Sequence, residues 1–283
     1  MKAKHEIELP LDERNLAHVL AALALAGLVS EEADEKGESR CWWCSDGFCV
    51  LSPLDGPALA QIACRFVRSM RWIPGLGAHK GEVAAEKYHG LLAAGGVTGL
   101  NPFASLSERD GTTSPLKTFA SHQEPGCVAG ESVADKHILE NQQRRLPDVS
   151  TGLEDWLFQR GFGAVSWGFD SRVGSHAYDL GFGSNDEKSG NADPTYPAIE
   201  LLSLAGASFF AAPHAWQVDE GTLEYTIWRE EISLHLAPLA AAGGIEGLKC
   251  DHYAVATRGN AYGKGAFYRY FPEASLITKH NIL

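Results

Sequence analysis

No stretch of this chain is apolar for long enough to cross a bilayer as a helix. The longest run, Val19 to Val29, falls well short of the roughly 20 residues required. The opening MKAKHEIELP is too polar for a secretory leader, so a cytoplasmic protein is expected. Basic residues are scarce as well: 24 Lys and Arg stand against 36 Asp and Glu, a formal net charge of −12, which argues against a generic nucleic-acid coat. A second cysteine pair is also missing. Cys41-x-x-Cys44 is half of a zinc knuckle, but Cys64, Cys127 and Cys250 supply no partner pair at matching spacing. The six cysteines are therefore expected as reduced, partly buried structural thiols, with Cys41 and Cys49 facing each other across a hairpin and Cys44 near its turn.

What the chain does contain is one short pattern, twice. Residues 15–29 (NLAHVLAALALAGLV) predict an apolar helix ending at Gly27, followed after a charged gap by two strands, RCWWC and FCVLS, around Ser45-Asp46-Gly47. Residues 198–210 (AIELLSLAGASFF) predict a second apolar helix with Gly206 near its end, followed by LEYTIW and ISLHL around Arg229-Glu230-Glu231. A repeated helix and Trp-bearing hairpin defines the architecture before any single element does. The expectation is an α+β protein of duplicated helix–β-hairpin–helix units: a first unit over 1–98, an irregular and helical connection over 99–150, and a second unit over 151–283 that ends in basic, aromatic strands. With 283 residues, 45% of them apolar, the chain can bury a real core.

Between these landmarks, HEIEL predicts a strand and Asp12 an N-cap for the first helix. Pro57 to Met70 predicts a helix opened by proline, with Leu59, Ile62, Ala63, Phe66 and Val67 on one face and Arg65, Arg68 and Arg71 along another. Further helices are predicted over 82–94, 132–146, 152–160 and after Pro238. Residues 99–130, rich in Gly, Ser, Thr and Pro, predict a long irregular excursion, and the glycine-punctuated 161–190 predicts short strands and turns. Charge follows this layout. Residues 1–55 carry five basic against eleven acidic side chains and 148–248 four against fifteen, whereas 65–145 carry ten against eight and 249–283 five against two. Phosphate contacts are therefore expected in the last two stretches named.

Three segments resemble catalytic motifs and lack essential parts of them. Ala164-Val165-Ser166-Trp167-Gly168 is close to a nucleophile elbow, but glycines follow where a helix must present the serine. Asp170, His176 and Asp179 could ligate a metal, as in a metal-dependent phosphodiesterase; Asp in such Gly- and Asn-rich sequence more commonly serves turns. Gly259 to Gly265 lacks the spacing, the Ser or Thr, and the helix of a phosphate-binding loop. No catalytic residue, metal or cofactor is expected.

That last segment also reads as a nucleic-acid surface. Arg258, Lys264 and Arg269 alternate with Tyr253, Tyr262, Phe267, Tyr268 and Tyr270, and cations hold phosphates while aromatic faces stack bases. An amphipathic strand with its aromatic residues in the core is the other reading. The candidate contacts are Arg65, Arg68, Arg71, Arg144, Arg145, Arg258, Tyr262, Lys264, Tyr268 and Arg269.

The blocks NLAHVLAALALAGL, CWWCSDGFCVL, YPAIELLSLAGASFFAAP and YTIWREEISLHLA resemble the large-subunit proteins of subtype I-U/I-G CRISPR surveillance complexes (Cascade). In that family a helix ending in a leucine-glycine run precedes a tryptophan and a Gly-x-Phe-x-Leu-like strand, positions held here by Leu25, Gly27, Trp42, Trp43, Gly47, Phe48 and Val50. The likeness covers about a third of the chain and leaves 80–160 unmatched. It implies a subunit without enzymatic activity that joins other CRISPR effector subunits, guide RNA and target DNA in antiviral defence, with no membrane partner. In such systems base pairing reads the target, and protein reads a short flanking motif and backbone shape. The acidic net charge departs from that pattern and fits basic partner subunits. The competing expectations are a hydrolase or phosphodiesterase and an acidic protein-interaction adaptor.

Overall fold

The computed structural model describes residues 4–33, 38–74, 89–93, 139–150, 152–161, 170–172, 195–207, 222–256, 258–262, 266–270 and 272–279. Mixed helix and antiparallel sheet make it an α+β fold. Strand β1 (His5–Leu9) leads into helix α1 (Leu16–Ala33), followed by β2 (Arg40–Cys44), β3 (Gly47–Ser52) and α2 (Gly56–Ser69). Next come β4 (Met70–Pro74), β5 (His89–Ala93), a helix α3 over 139–145, and α4 (Leu153–Leu157). The second half holds α5 (Pro197–Ala207), β6 (Thr222–Trp228), β7 (Ile232–Ser233), a 3-10 turn (Leu234–Leu236) and α6 (Ala237–Ala241). Strands β8 (Cys250–Ala256), β9 (Arg258–Tyr262), β10 (Ala266–Tyr270) and β11 (Ser275–Lys279) close the described fold.

Helix α1 is apolar all round, and from Leu16 to Val29 nearly every residue is buried, the mark of a helix inside the core. It does not stop at Gly27. Burial on every side outweighs the ~1 kcal/mol by which glycine disfavours a helix interior, and the helix runs on to Ala33. Nor is Asp12 its cap. Asp12 closes a preceding turn by accepting from Arg14 N–H at 2.9 Å, while the buried Asn15 accepts from Ala17 N–H at 3.1 Å. Helix α2 starts as its sequence predicts, with Asp55 accepting from Ala58 N–H at 2.9 Å and proline in the first turn. Its apolar face (Leu59, Ala63, Phe66, Val67) is buried. It ends at Ser69, because Met70 turns extended and begins β4. The helix predicted over 82–94 is likewise corrected at 89–93, which pair with β4 as a strand; its earlier part and the excursion over 99–130 lie outside the described residues.

The two predicted units share a strand arrangement and differ in how it is built. One sheet has the order β1-β3-β2-β7 and another β11-β8-β6, all antiparallel. In both, the strand after the apolar helix (β2, β6) pairs with a central strand (β3, β8), whose other side is closed by a third. That third strand is β1, before the helix, in one unit and β11, near the chain's end, in the other. The hairpin predicted for 223–236 does not form. Trp228 ends β6, β6 pairs with β8, and Ile232–Ser233 instead join the edge of the first sheet beside Arg40 and Cys41.

The two units share one core. Helices α1 and α5 cross so closely that a Cβ at Gly206 would sit 1.8 Å from Leu20 O, and Ser203 Oγ donates to Ala17 O at 2.7 Å. Trp228 donates its indole N–H to Cys41 O at 3.1 Å and meets Phe48 edge-on, and Phe48 packs on Trp43. Arg229 ties both halves by bonding Glu13 and Asp251, while Tyr253 donates to Glu13 Oε1 at 2.6 Å and Tyr225 to Glu13 O at 2.8 Å. The five described cysteines are free thiols. Across the first hairpin the register sets Cys41 against Val50 and Cys49 against Trp42. It is therefore Cys44 and Cys49, diagonal to each other, whose sulfurs lie 3.5 Å apart.

Candidate nucleic-acid interface

Strand β8 pairs with β11 (Tyr253 opposite Leu276) and β9 with β10 (Arg258 opposite Tyr270, Tyr262 opposite Ala266), both antiparallel. Strands β8 and β11 belong to the three-stranded sheet with β6, whereas β9 and β10 make a two-stranded ribbon of their own, with no third strand beside it among the described residues. Because strand residues alternate between faces, the register places Arg258, Asn260, Tyr262, Tyr268 and Tyr270 on one face, and Phe267 and Arg269 on the other. Lys264 lies outside the described residues. Tyr253, on β8, is 4% exposed and stacked on Tyr225 at 5.6 Å in the core.

The second group comes from far apart in sequence. Arg68 on α2 and Arg144 on α3 line one cavity of about 550 Å³ together with Glu140, Gln143 and Leu146. Gln143 holds the two helices in place: its amide donates to Val67 O at 2.8 Å and to Met70 O at 2.7 Å, satisfying carbonyls that the end of α2 leaves without intrahelical partners. Arg68 Nη2 bonds Asp148 Oδ1 at 2.7 Å and approaches Leu146 O at 3.4 Å. Arg65, one turn earlier on α2, is exposed. Arg145 turns to Asn141 Oδ1 at 2.9 Å. Arg71 is not on the helix at all: it falls on β4, so the three-arginine spacing breaks at its last member. Sequence reasoning missed Gln143 and Asp148, whose partners lie 73 to 80 residues away.

Of the competing catalytic candidates, Ser166, His176 and Asp179 lie outside the described residues. Asp170 is fully engaged. It accepts from Asn15 Nδ2 at 2.8 Å and from Arg172 through the backbone N–H at 3.0 Å, Nε at 2.9 Å and Nη2 at 2.6 Å. Burial pushes this carboxyl up, and the bonds and charge of Arg172 more than offset it, so its pKa falls below the usual value. Arg172 in turn stacks over Tyr196 at 3.9 Å. Beside this pair His18 accepts from Asp12 N–H at 2.8 Å, and its buried Nε2 has no partner among the described residues. Burial, aided by Arg172, lowers the imidazole pKa to about 4. Asp170 is thus an anchor between α1 and the 170–172 turn, with both carboxylate oxygens hydrogen-bonded. Among the described residues no group of three or more His, Cys, Asp or Glu could hold a metal ion, and no helix is long and apolar enough to cross a membrane.

No protein-family model matches this chain, and no curated protein matches it.

Proposed function

We propose that this protein is a non-catalytic subunit of an RNA-guided type I CRISPR surveillance complex, acting in the cytoplasm to hold guide RNA or target DNA beside partner subunits. The β9–β10 ribbon is the observation that carries the reading. A two-stranded ribbon fits the major groove of B-form DNA, and strands that carry Arg258, Tyr262, Tyr268 and Tyr270 hold the residue types that bind single strands, cations for phosphates and aromatic rings for bases. The blocks that resemble the Cascade large subunit supply the class of assembly. The acidic stretches 1–55 and 148–248 suit basic partner subunits.

Purification of the tagged full-length protein from its native host, with RNA extraction and mass spectrometry of what accompanies it, tests this. Small guide RNAs of uniform length together with CRISPR effector subunits are the expected result. Recovery of the protein with neither would overturn the reading.

A further inference from the structure

We propose that the cleft between α2 and α3 is a phosphodiester-binding site that the free chain keeps closed to anions with its own Asp148. The inference rests on the nucleic-acid reading above and names the chemistry of a second contact, separate from the ribbon. The hollow, of about 550 Å³, is wide open to solvent, as suits a contact to a strand that passes over the surface. Two guanidinium groups line it, and its floor is fixed by the paired hydrogen bonds of Gln143 to the end of α2.

Arg68 already shows what it binds. Its Nη2 holds a carboxylate oxygen at 2.7 Å, the geometry in which arginine also holds a phosphate oxygen. Asp148 is poised to leave. Its side chain is 89% exposed and that of Arg68 46%, and ion pairs so exposed hold their partners weakly. The Asp148 backbone, by contrast, is positioned by its neighbour: Trp156, buried on α4, donates its indole N–H to Pro147 O at 3.1 Å. The carboxylate can therefore swing out while the loop stays.

On the nucleic-acid reading, the oxyanion that takes the place of Asp148 is a backbone phosphodiester. Like the carboxylate it displaces, it carries a single negative charge, and its oxygens accept from a guanidinium in the same way.

The test is the salt dependence of binding of a fluorescent single-stranded oligonucleotide to the full-length protein. Arg68→Gln/Arg144→Gln should reduce the slope of log affinity against log salt by about 0.7, the loss of one phosphate contact on a single strand. Asp148→Asn should tighten binding at low salt up to about fivefold, the range of an exposed ion pair. Glu246→Gln, an equally acidic exposed position elsewhere, should leave affinity nearly unchanged. Inorganic phosphate should compete no better than an equal ionic strength of chloride. An unchanged slope in the double variant, an equal gain from Glu246→Gln, or strong competition by inorganic phosphate would each overturn the cleft assignment. If Arg258→Gln/Arg269→Gln still lowers the slope in that case, the proposed function survives without the cleft. If the wild type binds neither DNA nor RNA, the nucleic-acid reading fails and takes the cleft with it.

Discussion

Replacing Gly206 by alanine adds one methyl group at the tightest helix crossing of the molecule. An ideal Cβ there would lie 1.8 Å from Leu20 O, 2.6 Å from Leu20 C and 3.1 Å from Leu20 Cα. All three are backbone atoms, so no side-chain rotation relieves the contact. Bringing the first distance beyond 3.0 Å moves α5 from α1 by more than about an ångström. A gap of that size forfeits a quarter to a half of each nearby dispersion contact, and overpacking of this kind costs ~1–3 kcal/mol. The bond from Ser203 Oγ to Ala17 O, at 2.7 Å, is stretched with it, at about 1 kcal/mol. The better helix propensity of alanine returns ~1 kcal/mol. The net expectation is a loss of about 1–3 kcal/mol, or a melting temperature lower by roughly 2–12 °C for a chain of this size. Circular dichroism melts of Gly206→Ala and Gly56→Ala make the comparison. Gly56 opens α2 with nothing beyond its chain neighbours within 4 Å of its ideal Cβ; alanine there restrains the unfolded chain but precedes Pro57, whose ring disfavours a helical residue before it, so the change should stay within ~1 kcal/mol of neutral. A Gly206→Ala variant as stable as wild type would refute the close crossing of the two repeated helices.

Three further outcomes are expected. His18, with its pKa lowered to about 4 by burial, is neutral in the fold and gains a proton near pH 6.5 only when unfolded; stability should thus fall by roughly 3 kcal/mol between pH 6.5 and 4, and His18→Gln should flatten that part of a denaturation-midpoint profile. Burial pushes the Cys49 thiol up to about 12 and that of Cys41 higher still. In a timed maleimide reaction of the folded protein at pH 8, followed by peptide mapping, Cys44 should therefore react well before either, and prompt labelling of Cys41 would contradict its burial. Arg229→Met leaves Glu13 and Asp251 without their shared cation and should cost about 1.5–3 kcal/mol in urea unfolding, the worth of hydrogen bonds to charged groups; an unchanged midpoint would show that this bridge does not join the halves.

Much of the architecture was legible wherever burial is written along the chain. Continuous apolar residues gave α1 and α5, the proline gave the start of α2, and the turn predicted around Ser45-Asp46-Gly47 lies between β2 and β3, with Gly47 already the first residue of β3. What misled were local stop signals that tertiary context overrides, as at Gly27. Long-range pairing was illegible for a different reason. Arg229-Glu230-Glu231 looks like a hairpin turn, and nothing nearby in sequence reveals that β6 prefers β8 and that Ile232 prefers Cys41. The candidate interface divides in the same way. The ribbon was readable from alternating Arg and Tyr around glycines, whereas the meeting of Arg68 and Arg144 depends on Gln143 reaching across to α2.

The two residues of β7 have a consequence for how this chain comes to be made. Until Ser233 has left the ribosome, Arg40 and Cys41 have no neighbour on their outer side, and Trp228 has not reached Cys41 O. A nascent N-terminal half therefore carries an open strand edge next to tryptophan, the kind of edge that recruits other chains. Fragments cut between the two units inherit the same defect permanently. Expression of residues 1–98 alone should yield aggregates, while supplying the remaining residues as a separate chain in the same cell offers the missing strand and a route back to solubility.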